Sequence, residues 1–213
     1  ILAANNSYTG TTTINGGTLI TSTGASGTPF GTTGTITIGG NATIRSSNVA
    51  PTDYSTRLSI SDGAALTLNT GNIAHTWAGV LGNSGASNTA GLTKTGLGTL
   101  TILPADLAKQ TWKGDTTVNM GVLFLDGNNQ ATNFSNLIDP ASDLVLGGGV
   151  FNFRGKASFT NSQAFASTTL NPGASEIRPA SGTGTNTVSL GNITRSTGSL
   201  LNIVNATGYT YAT

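Results

Sequence analysis

The sequence has no cysteine, one histidine and one methionine in 213 residues, and only 8% of it is charged. Without cysteine there are no disulfides and no thiolate metal sites. With one histidine, a Ser-His-Asp triad would have to be built on His75, and no Gly-x-Ser-x-Gly elbow supplies the serine. His75 stands in the strand-like run 73–80 and reads as a surface or groove histidine. The acids are Asp53, Asp62, Asp106, Asp115, Asp126, Asp139, Asp143 and Glu176, far apart in the chain. A glycosidase needs two carboxylates flanking one bond. Asp62-Gly63 and Asp126-Gly127 read instead as tight turns. No calcium loop of the EF-hand or Gly-Gly-x-Gly-x-Asp type occurs. The sequence therefore assigns no catalytic, cofactor-binding or metal residue, and the expectation is a non-enzymatic protein without a cofactor. The formal net charge of +1 leaves no basic stripe for nucleic acid. No apolar run is long enough to span a bilayer, so no membrane insertion of this segment is expected.

Glycine, threonine, serine and asparagine are abundant, and they follow a pattern. Leu100 and Ile102 alternate with Thr99 and Thr101, and Val118 alternates with Thr117 and Asn119. Period two marks strands with one buried face. Each such strand is too short to fold alone, so the unit must stack on copies of itself. A copy is present. Tyr8 to Ile20 aligns with Trp112 to Phe124 without a gap: Thr12 and Thr13 meet Thr116 and Thr117, Ile14 meets Val118, Asn15 meets Asn119, Gly17 meets Gly121 and Leu19 meets Leu123. Four further strand–turn–strand runs, in two corresponding pairs, follow the same plan, and the chain reads as one segment, 1–213, of two degenerate super-units, about 1–105 and 106–213. It opens in mid-motif, which predicts a part of a longer chain or array. The one helical candidate, Ala105 to Gln110, reads as a loop or a single turn.

The run Gly91-Leu92-Thr93-Lys94-Thr95-Gly96-Leu97-Gly98-Thr99-Leu100-Thr101-Ile102, with Thr76 to Val80 and the two aligned copies, resembles the autotransporter-associated β-strand repeat of large exported bacterial surface proteins. The resemblance implies an all-β, right-handed parallel β-helix with little or no helix, and the repeat residues above would be its structural positions. At about 20–25 residues per coil, roughly nine coils are expected, stacked about 4.8 Å apart. It also implies an extracellular or cell-surface location, with which the lack of cysteine is compatible.

The function expected is structural or adhesive: a stiff rod, or the body of an extracellular fibre. The open ends of a β-helix must be capped or paired, so the expected partners are other copies end to end, or flanking coils of the same chain. Two alternatives stand beside this. A carbohydrate-binding or carbohydrate-cleaving β-helix would place Tyr8, Trp77 and Trp112 as contacts to a surface polysaccharide. An ice-binding β-helix would place Thr-x-Thr pairs such as Thr11/Thr13, Thr35/Thr37, Thr93/Thr95, Thr99/Thr101 and Thr185/Thr187 in register on one flat face.

Overall fold

The computed structural model describes residues 1–22, 27–46, 53–83, 87–106, 108–180 and 183–213. Every strand pairing among them is parallel, and partners lie about one turn apart in sequence. Thr12 faces Ile36, Leu66 faces Leu92 and Thr116 faces Leu144, so a turn takes 24, 26 and 28 residues at these places. The result is a β-solenoid. Turns run from 22 to 28 residues, there are about seven rather than nine, and the rod is on the order of 35 Å long.

Three sides repeat. The long face holds eight strands: Gly17–Thr21, Ala42–Ser46, Ala65–Asn69, Gly91–Thr95, Thr116–Val118, Leu144–Leu146, Ser167–Leu170 and Asn192–Arg195. The second face holds six: His75–Trp77, Thr99–Ile102, Val122–Asp126, Val150–Arg154, Gly173–Pro179 and Ser199–Ile203. The third side is split into two four-stranded sheets, one from Thr12–Ile14 to Gly82–Asn83, the other from Phe134–Ser135 to Tyr209–Ala212. One 3-10 turn, Ser55–Arg57, is the helical element among the described residues. Leu107 lies outside them. Ala108 N–H donates to the Ala105 carbonyl, a single turn, and Gln110 then bridges to Ile138.

Period two explains the packing. On the long face Leu19, Ile44, Leu68, Lys94, Val118, Leu146, Leu170 and Arg195 form one inward column. Thr18, Thr43, Thr67, Thr93, Thr117, Val145, Thr169 and Thr194 form the outward column beside it. Threonine suits that place because its branched side chain lies well on a pleated, half-buried surface and can pair with its neighbour above; Thr169 and Thr194 hydroxyls are 3.1 Å apart. Ile36, Ile38, Leu58, Ile60, Leu66, Leu68, Leu100, Ile102, Leu123, Leu144, Leu146, Val188 and Leu190 are buried as the alternation predicts. Each contributes about 1.5–3 kcal/mol. Ile14 and Leu19, in the first turn, are only partly buried.

The aligned copies do not occupy the same place in the solenoid. Thr12–Ile14 and Gly17–Thr21 flank the corner between the third side and the long face, whereas Thr116–Val118 and Val122–Asp126 flank the corner between the long and second faces. The repeated object is thus strand, corner, strand. Its details recur at both corners. Tyr8 Oη and Trp112 Nε1 each bond a threonine hydroxyl four residues on, Thr12 at 2.8 Å and Thr116 at 2.9 Å. Gly17 and Gly121 both have positive φ, 76° and 65°. The Asn15 and Asn119 side chains cover Gly39 and Gly147 of the next turn so closely that a Cβ there would lie 2.3 and 2.4 Å from the amide oxygens.

Candidate functional site

The corner between the long and second faces carries the most distinctive chemistry. In six successive turns it bends at a glycine with positive φ: Gly71, Gly96, Gly121, Gly148, Gly173 and Gly198. At the Gly96 and Gly121 turns the carbonyls of Thr95, Gly96 and Met120 need a donor from the interior. Lys94 answers this. It is fully buried, and its ammonium donates to the carbonyls of Thr95 at 2.9 Å, Gly96 at 2.7 Å and Met120 at 3.1 Å. Burial lowers its pKa to about 8. The repeat motif Gly-Leu-Thr-Lys-Thr-Gly therefore has a physical meaning: the lysine ties the corner from inside. Lys94 shares the parity of Leu92, and that was the available signal for its inward direction.

His75 is buried, not on a surface or in a groove, because it alternates inward with Trp77 on the second face. Its Nε2 has no hydrogen-bond partner. Burial, and then the Lys94 charge, lower its pKa to about 4. Trp77 and Trp112 are both 1% exposed and are not contacts for a surface polysaccharide. Trp77 closes an interior stack, Phe30–Tyr54–Trp77, with ring centroids 4.9 and 5.8 Å apart. Tyr8 alone of the three reaches solvent.

Most of the acids serve the backbone of an adjoining turn or their own. Asp53 accepts from the N–H groups of Ser55 and Ala78, Asp62 from Ser87 and Thr89, and Asp106 from Ala131. Asp126 pairs with Arg154, whose guanidinium also lies 5.2 Å over the Phe124 ring. Asp115 has its pKa raised by partial burial and then by Asp143. Among the described residues no group of three or more His, Cys, Asp or Glu is placed to hold a metal ion. The Thr-x-Thr pairs fall on different sides. Thr93/Thr95 is on the long face, Thr99/Thr101 on the second, and Thr185/Thr187 on the third. The long-face column is single file, because its flanking outward positions include Arg45 and Asn69.

Two functional features escaped the sequence. Where the third side is broken, side-chain amides replace peptide groups. Gln110 accepts from Leu81 N–H at 2.8 Å and donates to the Gly79 carbonyl at 3.2 Å. Gln163 accepts from Ile138 N–H at 3.1 Å and donates to the Ile138 and Ala164 carbonyls at 3.1 and 2.7 Å. Arg57 does similar work at a loop, donating to the carbonyls of Phe30, Gly31, Thr33 and Gly34.

The fold and these interior ties define a β-solenoid. No family model and no solved structure matches the chain. The chain is similar to the adhesin BmaC autotransporter of Brucella suis biovar 1 (strain 1330), with 37% identity over 86 residues. That stretch is 40% of this chain and 2% of the length of that protein. The similarity is thus partial on both sides, and it is to an autotransporter adhesin.

Proposed function

We propose that the chain is a passenger-like segment of an exported autotransporter-type surface protein, and that its role is structural and adhesive rather than enzymatic. The observation that carries this reading is the partial similarity to an autotransporter adhesin in a chain built as a solenoid. The physics agrees with it. Stacked turns make a stiff body held by ladder hydrogen bonds, and the central outward column of the long face is threonine in every strand but one. Most of the carboxylates bond backbone N–H groups, and the two tryptophans are buried in the interior. Among the described residues the strands of the last turn are paired on one side only and the outer side of the first turn is bridged at Leu2–Thr21, and the inward Ile14, Leu19, Ile193 and Ile203 stay partly open. In this reading flanking turns of the same architecture, within one chain or from another copy, cover those edges.

The test has two arms. Intact source cells are probed with an antibody to this segment, with and without surface protease, and the purified segment on beads is assayed for attachment to host cells. Surface labelling that protease removes, with attachment above that of uncoated beads, is the expected result. A segment found only inside the cell would overturn the location. Attachment no better than bare beads would leave a stalk and remove the adhesive role.

A further inference from the structure

The second face begins at His75–Trp77. Among the described residues this strand is its edge and pairs only with Thr99–Ile102, His75 facing Leu100 and Trp77 facing Ile102. It is short, and it carries the chain's one histidine inward. The elements around it turn mostly hydrocarbon towards the interior: Leu66 and Leu68, Leu92, Leu100 and Ile102. Among the described residues the ionisable groups they turn inward are Lys94, already a cation held by three carbonyls, and the Tyr54 hydroxyl, which has no hydrogen-bond partner. Among the described residues no carboxylate faces the imidazole in this interior. Asp53, the nearest acid in sequence to Tyr54, is committed to the Ser55 and Ala78 N–H groups at the rim.

Among the described residues a second positive charge in that place has no counter-ion, and Nε2 has no hydrogen-bond partner. The cheapest escape is local, because an edge strand has one set of ladder bonds to break and the rest of the stack keeps its own. We propose that His75–Trp77 is an acid-operated edge strand: protonation of His75 releases it from Thr99–Ile102, carries Trp77 towards water and uncovers the edge of the second face, while the turns on either side stay paired. The shifted titration of His75 agrees in direction, since burial and Lys94 both disfavour the imidazolium.

The experiment uses the 213-residue chain and amide hydrogen exchange at pH 7 and pH 5, corrected for intrinsic rates. Lowering pH from 7 to 5, through the free-histidine range, should raise opening of this strand by roughly twentyfold. The amides bonded across it, including Leu103 N–H, which donates to the Trp77 carbonyl, should lose protection. Amides of Phe159–Ala164 and Gly184–Ser189, far along the stack, should not. In W112F, where Trp77 is the remaining tryptophan, fluorescence should shift to the red over the same range. H75L should hold both readouts flat. If H75L does not fold, the histidine ring resonances of the parent, titrated by NMR, must move with the exchange and fluorescence changes. Flat protection in the parent, equal loss in every turn, or an undiminished acid response in H75L would each overturn the proposal.

Discussion

Gln163→Met tests whether a buried side-chain amide stands in for a strand. Gln163 is 0% exposed and satisfies three backbone groups, the N–H and carbonyl of Ile138 and the carbonyl of Ala164. Methionine has similar length and no amide. Each buried group left unpaired costs about 1–3 kcal/mol, and the added apolar burial offsets part of that. The net loss should be roughly 3–5 kcal/mol, a large share of the ~5–15 kcal/mol that holds a typical domain. Urea unfolding followed by circular dichroism would read it as a lower midpoint with an unchanged slope. Gln163→Glu sharpens the test. A carboxylate accepts from Ile138 N–H but cannot donate to the two carbonyls, so this variant should be at least as unstable at neutral pH. It should recover as pH falls, because the protonated acid regains a donor. A loss below about 1 kcal/mol in Gln163→Met would refute the reasoning.

Two further outcomes follow from the glycine corner. Lys94→Met should lose roughly 1–3 kcal/mol at pH 7, because three corner carbonyls lose their donor. The folded pKa of Lys94, about 8, lies below its ordinary value. Between about pH 8 and 10.5 the unfolded chain therefore binds more protons, and stability of the parent should rise with pH by about 3 kcal/mol. Denaturant midpoints measured across that range should show this rise in the parent and not in Lys94→Met. Gly121→Ala should cost more than Gly63→Ala, although both residues have positive φ. A Cβ on Gly121 would meet the Gly96 and Gly98 carbonyl oxygens at 2.3 and 2.4 Å, while nothing lies within 4 Å of one on Gly63. The Gly63 variant should lose about 1–2 kcal/mol from the backbone alone, and thermal unfolding of the pair isolates the crowding at Gly121.

Much of the fold was legible because a strand's side-chain period is fixed by local geometry. Alternation placed Leu66, Leu68, Leu100, Ile102, Leu144 and Leu146 inside and the threonines outside before any contact was known. The recurrence of Asn15 and Gly17 at Asn119 and Gly121 was legible as an alignment, and the structure adds its reason, a positive φ at the glycine and an asparagine covering the glycine of the next turn. The similarity of Tyr8 to Trp112 was legible too, and both do bond a threonine four residues on.

What only the tertiary structure decided depends on which turn lies above which. Turn length varies with loop length, so the coil count and the side on which each motif copy falls could not be read from spacing. His75 was expected at a surface or groove, and Trp77 and Trp112 as possible sugar contacts, yet all three are buried, for a related reason: polar and aromatic residues suit either face, and the stack alone closes over them. The same holds for Gln110 and Gln163. A glutamine carries no local mark of the peptide group it replaces, and its role exists only where a neighbouring turn leaves an N–H and a carbonyl unpaired. The sequence by itself determined strands, corners and the inward set; the stacking of turns determined which polar groups became the interior ties.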